Sequence, residues 1–160
     1  MRFSEETRTA AQEAFSPLIG LPLSDMWRYG SQKFEFGEQK PHLNRKGEET
    51  TWADWGLVVA GAWHLSGPNG FALSSEHFAP ERHDEHAKDF YESLDDEPPI
   101  VQTVEVLENG GLRIEMSRGY RLGIDPRSTE EEYFEEWRLM PPNEAQGHLV
   151  LDHGGLEWSG

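Results

Sequence analysis

The stretch that decides the fold reads Ile100-Val101-Gln102-Thr103-Val104-Glu105-Val106-Leu107-Glu108-Asn109-Gly110-Gly111-Leu112-Arg113-Ile114-Glu115-Met116-Ser117-Arg118-Gly119-Tyr120-Arg121-Leu122-Gly123-Ile124-Asp125 and continues to Met140. Val104 and Val106 sit two apart; Leu112, Ile114 and Met116 alternate with Arg113, Glu115 and Ser117; Tyr120, Leu122 and Ile124 alternate with Arg121, Gly123 and Asp125. Successive side chains of a strand point to opposite faces, so this period of two predicts an antiparallel sheet with one face buried. Asn109-Gly110-Gly111 and Arg118-Gly119 fall between the runs, and Asn-Gly supplies the positive φ that a tight hairpin demands. Trp137 and Leu139, flanking Arg138, predict a fourth strand of the same meander.

Working outward, Ser4 followed by Glu5 and Glu6 reads as a helix N-cap with acids in the first turn, and Phe3, Ala10, Ala11, Ala14 and Phe15 supply an apolar stripe that Pro17 ends. One strand is expected from about Met26 to Phe36, with a bulge at Gly30. Residues 38–51 are polar, contain Pro41, Asn44 and Gly47, and show no apolar period, which predicts a long loop. From Trp55 to Leu65 the chain is apolar or small on both faces, as in a central strand, and Gly67-Pro68-Asn69-Gly70 turns it onto Phe71-Ala72-Leu73. Asp84 to Leu94 has helical spacing, with Ala87, Phe90, Tyr91 and Leu94 on one face. A last hairpin is expected from His148-Leu149-Val150-Leu151 to Leu156-Glu157-Trp158 around Gly154-Gly155.

The fold class is therefore α+β and mainly antiparallel sheet, with a short N-terminal helix and one acidic helix. We read residues 1–160 as a single domain: a helix over 1–17, a first strand group over 24–74, an acidic helical linker over 76–99 and a second strand group over 100–158. A chain of this length buries roughly two-thirds of its unfolded surface and needs no disulfide or metal to fold.

There is no cysteine, which excludes disulfide frameworks, thiolate nucleophiles and cysteine-ligated metal clusters. The start Met1-Arg2-Phe3-Ser4-Glu5-Glu6 lacks the pattern of a secretory signal, and no apolar run approaches the ~18 residues of a membrane span, so a cytoplasmic protein without membrane contact is expected. Thirty acidic against 14 basic side chains give a net charge of −16. Such a field repels phosphate backbones, which argues against nucleic acid, and attracts basic proteins; its plainer effect is to keep a small domain in solution.

Several short segments look familiar as an ordered set: Gly20-Leu21-Pro22-Leu23-Ser24-Asp25-Met26, Phe34-Glu35-Phe36-Gly37, Trp63-His64-Leu65 and Glu136-Trp137-Arg138-Leu139. In this order they resemble a family of small uncharacterised bacterial proteins, over a span from about Leu18 to the C-terminus. Ala60, Gly61 and Ala62, just before Trp63, are smaller than the strand residues that the pattern leads one to expect. The resemblance implies no activity, and no functional residue is carried over from it.

In a cysteine-free chain a metal site must come from His and carboxylates, and the candidates are His77, His83 and His86. His83 and His86 share a helix face at a spacing of three, with His77 beyond Pro80; the spacing is not that of a zinc protease, and a solvated acidic helix start explains the same residues. The runs Asp95-Asp96 and Glu130-Glu131-Glu132 read as solvated faces, with Ser128 and Glu131 as a capping box. The nucleophile elbow, the phosphate loop and the dinucleotide fingerprint are absent from the sequence. Trp52 and Trp55 follow the polar 38–51 stretch, where an exposed indole serves as a binding anchor. The expectation is a non-enzymatic cytoplasmic binding module without a cofactor, immunity-like, whose Asp84, Glu85, Asp89, Glu92, Asp95 and Asp96 steer a basic protein and whose Trp52 and Trp55 anchor it. The alternative is a metal-dependent enzyme built on the three histidines.

Overall fold

A computed structural model describes residues 2–29, 31–75, 90, 94, 96–126, 135–142, 146–152 and 155–159 of the chain. Ser4 caps helix α1 (Glu5–Phe15), its Oγ accepting a hydrogen bond from the Thr7 amide at 3.1 Å, with Glu5 and Glu6 in the first turn. Ala11 and Phe15 are buried, and the helix gives way to a single tight turn at Ser16–Leu18, where Pro17 stands. The strands follow as β1 (Leu23–Tyr29), β2 (Ser31–Phe36), β3 (Lys40–Leu43), β4 (Glu49–Trp52), β5 (Trp55–Val59), β6 (Ala62–Ser66) and β7 (Ala72–Ser74), then β8 (Val101–Val106), β9 (Leu112–Met116), β10 (Arg121–Asp125), β11 (Glu135–Met140), β12 (His148–Asp152) and β13 (Gly155–Ser159). Mostly antiparallel sheet with a short N-terminal helix, the described chain is consistent with α+β.

Two sheets hold most of these strands. One has the order β1-β2-β5-β11-β12-β13 and the other β7-β6-β10-β9-β8. Antiparallel pairing places directly opposed residues on one face, so each sheet can be read in rows. In the five-stranded sheet Leu73, Leu65, Leu122, Ile114 and Val104 form one row, all buried, as the alternation over Ile100 to Asp125 requires. In the six-stranded sheet the corresponding row is Met26, Phe34, Leu57, Leu139, Leu149 and Trp158. The two apolar faces share one core, closed by edge-to-face contacts of Phe34 on Trp63 (5.3 Å) and Phe15 on Trp137 (5.2 Å). Trp137 Nε1 also donates to the Gly110 carbonyl at 2.8 Å, tying the β8–β9 turn to the other sheet.

Several expectations are corrected. The span from Met26 to Phe36 is two strands, not one: the chain reverses between Tyr29 and Ser31, which pair with each other. The Gly30 bulge proposed there lies outside the described residues. Residues 38–51 are not a loop, because β3 and β4 form a hairpin joined by Asn44–Glu48. Its turn repeats the backbone of the β8–β9 turn: Asn44 N donates to Glu48 O (2.9 Å) and Gly47 N to Asn44 O (3.0 Å), as Leu107 N does to Gly111 O and Gly110 N to Leu107 O. Each has glycine at positive φ, 78° at Gly47 and 86° at Gly110.

The run from Trp55 to Leu65 is also two strands, and they belong to different sheets. Ala60 and Gly61 make the corner, both donating to the Glu136 carbonyl, at 3.1 and 3.3 Å. A Cβ on Gly61 would run into the Glu136 carboxylate, which accounts for the glycine at that corner. Trp137 and Leu139 do lie in a strand, but β11 leaves the meander and inserts between β5 and β12. Both sheets draw strands from the first and from the second half of the chain. The acidic helix expected over Asp84 to Leu94 falls largely outside the described residues; Phe90 and Leu94, two of the apolar positions assigned to it, are buried in the core, Phe90 against Phe71 and Tyr120. No helix among the described residues is long and apolar enough to cross a membrane.

Candidate functional site

Of the anticipated partner-binding residues, Trp52, Trp55 and Asp96 are described, while Asp84, Glu85, Asp89, Glu92 and Asp95 lie outside the described residues, as do His77, His83 and His86. Among the described residues no three His, Asp or Glu side chains are placed to hold a metal ion. Asp96 is exposed. Trp55 opens β5 with its side chain half-buried against the core, opposite Phe36. Trp52 closes β4 and is 36% exposed, the His42 ring stacked on it at 3.7 Å and 3°. The two are diagonal neighbours on one face of the β3–β4 hairpin, since Lys40 pairs with Trp52 and His42 with Thr50.

This hairpin is fastened to the outer face of the six-stranded sheet by one buried carboxylate. In β2 the residues Phe34 and Phe36 point into the core, so Lys33 and Glu35 point outward, yet Glu35 is only 2% exposed. Glu35 Oε1 accepts hydrogen bonds from Ala53 N (2.8 Å) and Gln39 Nε2 (3.3 Å), and Oε2 accepts one from Trp27 Nε1. Gln39 and Ala53 flank the hairpin, so both of its roots are held by the same side chain. Gln39 also donates to Ser24 Oγ at 3.0 Å. Three donors on one carboxylate offset the loss of its hydration.

Next to it, Trp27 pairs across β1–β2 with Lys33, whose Nζ lies 5.2 Å from the indole centroid. Trp27 is 42% exposed. Gly56 of β5 makes room for the Lys33 stem, since a Cβ there would lie 2.8 Å from Lys33 Cε. Lys40 Nζ donates to Asp54 Oδ2 at 2.6 Å, and this hydrogen bond, reinforced by the charge of the carboxylate, holds the ammonium above its ordinary lysine value. Trp27, Trp52 and Leu43 at the hairpin tip (67% exposed) are thus apolar anchors on a polar surface.

Further along the same outer face, Arg138 donates to both oxygens of Glu135, which raises its pKa, and its Nη1 lies 2.9 Å from His148 Nδ1. On the outer face of the five-stranded sheet, Arg113 donates to Asp125 at 2.8 Å, with His64 3.7 Å away on the other carboxylate oxygen. This arrangement fixes charges; His64 and Asp125 are too far apart for the hydrogen bond that a general base and its orienting acid require. Trp27, Lys33, Glu35 and His42 were not singled out by sequence reasoning. The signal was the turn between Tyr29 and Ser31, which, once seen, sets Trp27 opposite Lys33.

Comparison of the chain with protein-family models, with curated proteins and with solved structures found no match.

Proposed function

We propose that this chain is a non-enzymatic binding module for a basic protein, acting in the bacterial cytoplasm as an immunity-like protein that occupies its target. One observation carries the reading: among the described residues, six of the positive side chains are paired with acids inside the molecule. Arg2, Lys40, Arg113, Arg118, Arg121 and Arg138 each pair with an acidic side chain, and Arg8 donates to the Val106 carbonyl at 2.7 Å. The acidic excess, a net charge of −16, is therefore left to act on the surroundings. It favours a basic partner and disfavours nucleic acid. In this reading an acidic helix between the two strand groups of a single domain contributes Asp84, Glu85, Asp89, Glu92, Asp95 and Asp96 to steering, while the half-exposed Trp27 and Trp52 supply the anchors that hold the encounter. The resemblance to small bacterial proteins supports the cellular setting.

The test is to isolate a partner on immobilised protein and follow its binding by stopped-flow fluorescence. Association should slow as salt rises, and slow further when the six named acids are reversed to lysine, because exposed charges act mainly on encounter. Trp52→Ala should instead speed dissociation by at least about tenfold. A partner indifferent to salt, to the reversals and to Trp52 would refute the reading.

A further inference from the structure

The four outer strand edges of the two sheets are treated differently. On β8, Gln12 and Arg8 of α1 take up the edge: Val106 N donates to Gln12 Oε1 (2.9 Å), Gln12 Nε2 to Val104 O, and Arg8 Nε to Val106 O (2.7 Å). On β1, the Asp25 carboxylate accepts the Met26 amide at 2.9 Å, and Leu23 N donates to Pro99 O at 2.8 Å. The third edge strand, β7, has only three residues. Such devices are how natural sheets blunt their edges. The fourth, β13 (Gly155–Ser159), has five residues and ends its sheet with nothing among the described residues paired beyond it.

On one face its side chains, Leu156 and Trp158, are those of an interior strand. Trp158 continues the core row from Leu149, Leu139, Leu57 and Phe34, each at most 2% exposed, yet Trp158 is 55% exposed because the row stops there. Leu156, opposite the buried Leu151, is half-buried on the same face. Glu157 points the other way, opposite Val150, and is exposed.

We infer that β13 receives an added antiparallel strand from another protein, an extended segment whose residues alternate between apolar and cationic. Its apolar side chains would extend the core row over Leu156 and Trp158, and its cation would face Glu157. Main-chain bonds give such a contact affinity and the alternate side chains give it selectivity. A second copy of this chain is the wrong occupant, since full-length antiparallel pairing of β13 with itself centres Glu157 on Glu157, and like charges directly opposite repel. This site stands apart from the hairpin surface and does not need it to have a partner.

The probe is a fluorescein-labelled peptide of about seven residues alternating valine and lysine, the length of an ordinary strand. Fluorescence anisotropy should show saturable binding to the whole chain, weakened at least about tenfold in E157K and in W158A. The same peptide with every backbone amide N-methylated keeps every side chain and its charge but has no amide donor left for the ladder, and it should not bind. This arm uses the unaltered protein, so it decides the matter even if a variant folds poorly. Failure of the unmodified peptide to bind, or equal binding of the methylated one, overturns the inference. So does a concentration-dependent dimer in sedimentation that the peptide dissociates, which would make a second copy the occupant. None of these results bears on the salt and Trp52 tests of the hairpin surface.

Discussion

Replacing Glu35 by alanine tests whether one carboxylate holds the β3–β4 hairpin to the sheet. Three hydrogen bonds disappear, but they are not worth the same. Ala53 is 5% exposed, so its amide, 2.8 Å from Oε1, is left in a dry place without an acceptor, at a cost of about 1–3 kcal/mol. Trp27 is 42% exposed and its N–H can turn to water, and Gln39 keeps its bond to Ser24 Oγ. Removing a buried charge also recovers part of its desolvation penalty. The net loss should therefore be about 1–3 kcal/mol, well short of the roughly 5 kcal/mol or more reached by adding three charge-assisted bonds. For a chain of this size it corresponds to a fall in Tm of roughly 3–10 °C. Glu35→Gln retains one carbonyl oxygen for Ala53 and should cost about half as much. Urea titrations of the three proteins give the energies, and amide hydrogen exchange at Ala53 should accelerate in Glu35→Ala while exchange in β9 is unchanged. A loss within about 0.5 kcal/mol, the range of an ordinary surface substitution, with Ala53 still protected, would show that the carboxylate does not fasten the hairpin.

The register of the five-stranded sheet makes a sharper contrast: Ile114→Asp should cost several kcal/mol by placing an unpaired charge in the core row, whereas Thr103→Lys, exposed on the next strand and opposite Glu115, should stay within about 0.5 kcal/mol in the same titration. Two glycines should also separate. A Cβ on Gly111 would lie 2.9 Å from the Ile124 carbonyl oxygen, which the backbone cannot easily withdraw, so Gly111→Ala should cost about 1–3 kcal/mol. On Gly123 the nearest atoms to such a Cβ are those of the half-exposed His64 ring, so Gly123→Ala should displace that ring, visible as a change in its proton chemical shifts, at a cost below about 1 kcal/mol. Equal losses for the two glycines in denaturant would contradict this reasoning.

How far the fold could be read from residues depended on whether each strand has one wet and one dry face. The β8, β9 and β10 strands do, and Leu112, Ile114 and Met116 declare it; Ser4 and Pro17 mark the helix just as openly. The β3–β4 hairpin was hidden because both its faces meet water, leaving Lys40–Leu43 and Glu49–Trp52 with no apolar period to detect. The break between β5 and β6 was hidden for the opposite reason. Leu57, Val59, Trp63 and Leu65 all face the core, so the alternation runs unbroken through a corner at which the chain changes sheets. Only the small Ala60-Gly61 pair betrays it. At the candidate site Trp52 could be picked out as an indole in a polar setting. Glu35 could not, because a carboxylate at an outward strand position looks solvated until the hairpin folds over it.

The insertion of β11 between β5 and β12 has a consequence for how the chain is made. During synthesis β1, β2 and β5 emerge together and can pair at once, but the other edge of β5 (Trp55–Val59) must wait for Glu135–Met140. At roughly 5–20 residues per second the ribosome takes several seconds to supply them. Throughout that interval Leu57 and Val59 border an unpaired hydrophobic edge, the kind of surface on which nascent chains associate. Pairing across so long a separation also places the molecule among slow folders, in which loop closure precedes any gain from contact. The high negative charge then acquires a role in time as well as in space: emerging chains that repel one another have those seconds in which to finish.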